Sequence, residues 1–163
     1  MELKKRLEFR KVLVGAYFVL LAMYLVVGLQ PAEATNYEIA AELSIPSIGL
    51  DSDVTILRVE ERELKTPETI VGSYGRARNK TLLIGHSTTV FQDLEEVKLG
   101  DVIIYDDAPY KVFAIELVEK AEINMNEILA PADEKTLVLM TCAGTLLDGG
   151  DATHRLIVTA VAE

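Results

Sequence analysis

Cysteine is nearly absent from this 163-residue chain: Cys142 is the only one. No internal disulfide can form, which excludes the disulfide-framed folds of many small secreted domains. Histidine is almost as scarce, with only His86 and His154. No two ligand-type residues stand at C-x-x-C or H-x-x-x-H spacing, so a structural zinc site has no recognisable frame. Basic residues are missing between Lys11 and Arg58, and the whole chain carries a formal net charge of -10. That balance argues against nucleic acid as a partner. Internal repeats, low-complexity tracts and heptads are lacking too, which leaves a single ordinary core as the working assumption.

What is present begins with a segment unlike the rest. Met1 to Lys11 holds Lys4, Lys5, Arg6, Arg10 and Lys11 and runs directly into the uncharged apolar stretch Val12 to Leu29. That stretch is just long enough to cross a bilayer, which takes about 20 residues. The lysine and arginine asymmetry predicts a cytoplasmic N-terminus, with everything after Leu29 outside. Ala32-Glu33-Ala34 has the small-x-small form of a signal-peptide cleavage site, but apolar cores of signal peptides usually run about 7 to 15 residues. The expected organisation is a cytoplasmic basic segment (1–11), a single transmembrane anchor (12–29), a polar linker (30–42) and an extracellular domain (43–163).

From Leu43 onward short β-rich runs alternate with turn signals: Leu43 to Ile48, Val54 to Val59, Thr81 to Gly85, Val102 to Tyr105, Tyr110 to Val118, Thr136 to Thr141 and Arg155 to Val161. This spacing predicts an all-β domain, a small barrel or sandwich. Helical patterning is confined to Phe91 to Lys98 and Met125 to Leu129, which read as short decoration. The acidic cluster Glu60, Glu61, Glu63 lacks the ligand spacing of a calcium loop and reads as a solvated face.

An unpaired thiol in an exported domain is either buried packing or a nucleophile. Cys142 follows the run Thr136 to Thr141, and His86 follows the run Thr81 to Gly85, where a chain leaving a buried strand can present a side chain at the rim. If the last two runs pair as an antiparallel hairpin, Cys142 and Arg155 are neighbours. Strand alternation sends His154 and Arg155 to opposite faces, so only one of them can face Cys142. Arg155 is the better candidate, because His86 already supplies an imidazole and nothing else nearby supplies a fixed cation.

The chemistry of such a trio is acyl transfer through a thioester. An imidazole can favour the thiolate and later protonate a leaving amine. A guanidinium can stabilise the oxyanion formed when sulfur attacks a carbonyl. A zinc site made from His86, Cys142 and His154 is the competing use of the same residues, and it lacks paired-ligand spacing. Chain order excludes the papain-like enzymes, which place Cys before His. Met140-Thr141-Cys142-Ala143-Gly144 departs from the Gln-Ala-Cys-x-Gly of caspase-like enzymes.

Taken together, the residues resemble the sortases, membrane-anchored cysteine transpeptidases of Gram-positive and related bacteria. The resemblance rests on Leu43-x-Ile45-Pro46-x-Ile48, Gly85-His86-Ser87, Leu99-Gly100-Asp101-Val102-Ile103, Leu139-Met140-Thr141-Cys142 and Arg155-Leu156-Ile157-Val158. It implies a closed eight-stranded sortase β-barrel with short helices. Cys142 would be the nucleophile, His86 the acid/base partner, Arg155 the oxyanion stabiliser, and Thr141 would line the substrate groove. No metal or other cofactor is implied. The reaction would cut a signal similar to Leu-Pro-x-Thr-Gly after its threonine and pass the acyl group to an amine of a cell-wall precursor or a pilin. A hydrolase using water as acceptor, or a non-catalytic surface-binding barrel, are the alternatives. Val138 stands where the family pattern Thr-Leu-x-Thr-Cys has its first threonine. The connection from about Lys120 to Lys135, which helps select the signal in sortases, is short, so neither signal nor subclass follows.

Overall fold

A computed structural model of the chain describes residues 37–60, 63–147 and 151–163. The anchor expected at 12–29 lies outside these residues. Among the described ones, no helix is long and apolar enough to cross a membrane.

The strands are β1 (Ile39–Ile45), β2 (Leu50–Ile56), β3 (Val59–Glu60), β4 (Glu63–Leu64), β5 (Val71–Ala77), β6 (Lys80–Ile84), β7 (Val102–Tyr105), β8 (Ala108–Glu119), β9 (Thr136–Leu146) and β10 (Ala152–Ala162). Eight of them close into a barrel in the order β1-β2-β5-β6-β9-β10-β8-β7, while β3 and β4 form a separate two-stranded ribbon. Closure agrees with the all-β barrel expected from the sequence, and it leaves the barrel without an unpaired edge.

Alternation fills the interior. Leu43 and Ile45 of β1, Val54 of β2, Leu83 of β6, Leu137 and Leu139 of β9 and Val158 of β10 belong to one buried cluster. Each such aliphatic side chain contributes about 2 kcal/mol when fully buried. Phe91, Leu94 and Val97 join the same cluster. Their every-third-residue spacing suits the 3₁₀ turn Leu94–Glu96 that forms there, within the short helical pattern expected over Phe91 to Lys98.

A second cluster lies on the other face of the sheet. Leu82, Val138 and Ile157 are buried beneath Ile123, Met125, Ile128 and Leu129, which come from α1 (Met125–Ile128) and its flanks. Four residues cannot hold a helix alone. The Asn124 side chain caps this one by accepting from the Asn126 N–H, and the apolar contact fixes it on the sheet. Thr136 through Leu139 are therefore all buried, on both faces of β9. That explains why β9 reads as a continuous apolar run, and it matches its parallel pairing with β6.

Several strands also differ from expectation; the run expected over Val54 to Val59, for one, is divided between β2 and β3. β1 starts at Ile39, inside the segment expected as linker, because Ala41 and Glu42 already pair with Val54 and Asp53 of β2. β5 carries no strand signal, since Val71-Gly72-Ser73-Tyr74-Gly75-Arg76-Ala77 holds two glycines. Yet Gly72 leaves the room that Leu57 occupies, and Gly75 takes a φ of +67° where the pairing with β6 shifts register. β9 does not stop at Thr141 but runs on to Leu146. Gly144 and Thr145 there oppose Thr153 alone, since Ala143 pairs with His154 and Leu146 with Ala152. Gly144 absorbs the extra residue at a φ of +79°.

Candidate active site

The β9–β10 hairpin places Arg155 directly opposite Cys142. Directly opposed residues of an antiparallel pair project from the same face. Here that face is the outer one, because Leu139 on β9 and Leu156 on β10 point into the barrel cluster, whereas Met140 and Ile157 belong to the outer cluster. His154 pairs with Ala143, which packs against the barrel core, so it takes the opposite face from Arg155. Its Nδ1 lies 2.8 Å from Thr153 Oγ1. Among the described residues, no group of three His, Cys, Asp or Glu is placed to hold a metal ion, and the trio of His86, Cys142 and His154 is not assembled.

His86 arrives from the other side of β9. Parallel pairing of β6 with β9 ends at Ile84 opposite Met140. It is extended by the Gly85 N–H, which donates to the Met140 carbonyl at 3.3 Å, and by the Thr141 hydroxyl, which donates to the Gly85 carbonyl at 2.7 Å. His86, just past the end of β6, and Cys142, on β9, come next in sequence. Thr141, expected to line the substrate groove, is only 4% exposed, and its hydroxyl ties the end of β6 to β9 beneath the site.

Local bonds fix His86. Its carbonyl accepts from the Thr89 and Phe91 N–H groups at 3.3 and 3.0 Å. Its Nε2 lies 3.2 Å from the Thr66 carbonyl. A carbonyl only accepts, so Nε2 carries a proton and the neutral ring offers Nδ1 as its basic atom. Gly85 is required just before it, because a Cβ there would fall 2.7 Å from both Phe91 and Val90. We expect Gly85→Ala to cost about 1–3 kcal/mol, read as a lower urea midpoint, and to reduce any activity that depends on His86 being beside Cys142.

Cys142 is a free thiol, half-buried at this junction. Among the described residues, the hydrogen bonds of His86 and Arg155 go to groups other than its sulfur. Arg155 Nη1 donates to the Ala152 and His154 carbonyls at 3.1 and 2.9 Å, and Nη2 to Asp151 Oδ1 at 2.8 Å. Lys120 donates to the other Asp151 oxygen. These two cations hold the Asp151 carboxyl well below the usual carboxylate range. Sequence reasoning missed Asp151, one of two acids, with Asp148, in a Gly-rich connection. The only signal that could have found it is its place four residues before the arginine it pairs with.

Farther along the same outer face, a groove of about 450 Å³ runs between the Lys120–Lys135 connection and the sheet; apolar residues such as Val138, Ile157 and Ile128 line it together with charged ones such as Lys80 and Glu122, and Cys142, His86 and Arg155 lie outside its lining. The β9–β10 hairpin thus sets a thiol and a guanidinium side by side on the outer face, and the imidazole of His86 follows the end of the neighbouring β6.

A closed eight-stranded barrel with this junction defines a recognisable class. The sortase-domain family model matches residues 43–163, and the chain belongs to the sortase family. Solved structures share the fold. Sortase A from Corynebacterium diphtheriae, in a lid mutant, is 24% identical, with a TM-score of 0.62, covering 80% of this chain and 73% of that one. Sortase C-1 from Actinomyces oris is 24% identical, with a TM-score of 0.60 and 82% of each chain covered. A Clostridium perfringens Sortase D5 transpeptidase is 19% identical, with a TM-score of 0.60, covering 77% of this chain and 79% of that one. The likenesses span sortases of several classes and assign this chain to none. No curated protein sequence gives a significant match.

Proposed function

We propose that this protein is a cysteine transpeptidase that cleaves a Leu-Pro-x-Thr-Gly-like sorting signal between threonine and glycine and transfers the threonine acyl group to an amine. The observation that carries this is the register of β9: Arg155 lies opposite Cys142 on one side, and on the other the pairing with β6 runs to Ile84 opposite Met140, two residues before His86 and Cys142.

In this reading the Cys142 thiol passes its proton to Nδ1 of His86, and the thiolate attacks the threonine carbonyl, forming the S–C bond and an oxyanion that Arg155 stabilises. The C–N bond then breaks as His86 protonates the departing glycine nitrogen. The thioester persists until an amine attacks it, forming a new C–N bond and breaking the C–S bond while the amine's proton passes through His86 to the sulfur, which regenerates the thiol. Met140 and the apolar side chains of the Lys120–Lys135 connection, on the same face as Cys142, supply a surface for the apolar residues of the signal. Thr141 supports the groove from below by holding Gly85. The acceptor is an amine of a cell-wall precursor or of a pilin subunit. The segment 12–29 anchors the enzyme by a single pass, with the catalytic domain outside the membrane.

A hydrolase would use the same residues with water as acceptor. Mass spectrometry of a Leu-Pro-x-Thr-Gly peptide incubated with the enzyme, with and without triglycine, separates the two. We expect amine-ligated peptide to dominate when triglycine is present. Free-threonine product alone, unchanged by the amine, would establish the hydrolase.

A further inference from the structure

The Arg155 side chain curls back along β10 toward the hairpin connection, and Asp151 is what it meets. Three of its N–H groups are committed: two to the Ala152 and His154 carbonyls and one to Asp151 Oδ1. Among the described residues, the Nε–H and the second Nη2–H are left. Asp151 is itself held, because its Oδ1 accepts from the Ala152 N–H at 2.8 Å and its Oδ2 accepts from Lys120. Lys120 lies in the 3₁₀ turn Lys120–Glu122, directly after β8, so the carboxylate bridges the connection after β8 to the arginine opposite Cys142.

Charge decides what such a bridge can do. An aspartate paired with arginine alone would leave a neutral couple beside the thiol, and a neutral couple stabilises an oxyanion poorly. With Lys120 as a second cation, the trio keeps a net positive charge. The guanidinium is therefore oriented by its carboxylate without losing its field. The same bond also removes rotamer freedom from a long side chain that is 16% exposed, freedom that would otherwise be lost during the reaction.

We propose that Asp151 is a positioning residue. It fixes the Arg155 guanidinium so that its uncommitted N–H groups face the oxyanion formed at Cys142, and Lys120 preserves the positive charge of the group. The proposal rests on the reading of Cys142 as an acyl-forming nucleophile. It differs from a latch, in which Asp151 would hold Arg155 inactive and its removal would speed the reaction.

The test uses the full chain, in wild-type, Asp151→Ala, Asp151→Asn and Lys120→Met forms, with two reagents that need no sorting signal. With p-nitrophenyl acetate, sulfur attacks the carbonyl, an oxyanion forms, the C–O bond breaks and p-nitrophenolate leaves. With iodoacetamide, sulfur displaces iodide and no oxyanion forms. Asp151→Ala is expected to slow acylation about ten-fold while alkylation stays within about two-fold, since only acylation draws on an oxyanion donor. Asp151→Asn, whose amide oxygen can still accept from Nη2, should recover to within about three-fold of wild type, and Lys120→Met should slow acylation a few-fold. An equal fall in both rates marks a structural role and overturns the proposal, as does unchanged or faster acylation. Wild type that reacts with neither reagent until denatured overturns the nucleophile reading and this inference with it. Wild type that reacts with both, with Asp151→Ala leaving their ratio unchanged, overturns the inference alone.

Discussion

Replacing Cys142 by alanine is expected to abolish both the thioester and the transferred product, lowering turnover by at least about 10³-fold, while the barrel remains folded. The expectation follows from where the sulfur sits. Cys142 is half-buried on the outer face of β9, outside the barrel cluster built from Leu137, Leu139 and their partners. Its loss therefore removes few core contacts. No disulfide is lost, since the chain has no second cysteine. Comparing peptide turnover with the urea midpoint of the variant separates chemistry from stability. Full activity in Cys142→Ala would remove the nucleophile from the mechanism and the proposal with it.

Arg155→Lys should be nearly as damaging, although it keeps the charge. The guanidinium fork bonds the Ala152 carbonyl, the His154 carbonyl and Asp151 at once and still has N–H groups to spare. A lysine ammonium is a point donor on a flexible stem and cannot reproduce that geometry. We expect kcat to fall about 10²-fold, the scale of losing one oxyanion donor, with KM and the melting midpoint little changed. A fall confined to KM would place Arg155 in ground-state binding. An unfolded variant would assign it to the scaffold.

The parts of this account that were legible from residues are those in which one pattern repeats. The β-rich runs of β1, β7, β8 and β10, set apart by turn signals, announce strands. The spacing of Cys142 and Arg155 predicts their meeting as soon as the last two runs are paired as a hairpin, and the observed register sets them opposite each other. β5 was not legible because its glycines, which make room for Leu57 and form a bulge, are the residues that erase a strand signal. The continuation of β9 through Leu146 was hidden for the same reason: Gly144 reads as a connection, yet its left-handed conformation is what lets the hairpin run on past Cys142. Thr141 was expected to line the groove with Cys142, yet strand alternation turns neighbours to opposite faces, and its hydroxyl bonds the Gly85 carbonyl. The anchors of the two polar partners were beyond reach. His86 is held by a backbone carbonyl at Thr66, which leaves no trace in residue identity, and Arg155 by an aspartate in a stretch where nothing marks one acid above another.

The central claim is that Cys142 carries the acyl group, and intact-protein mass spectrometry tests it most directly. Wild-type enzyme is incubated with a Leu-Pro-x-Thr-Gly peptide without added amine, quenched in acid and mapped by proteolysis. The account predicts an adduct equal in mass to the peptide fragment ending in threonine, located on Cys142 and released by hydroxylamine. Cleavage of the peptide with no adduct on Cys142, or with the adduct on another residue, would contradict it.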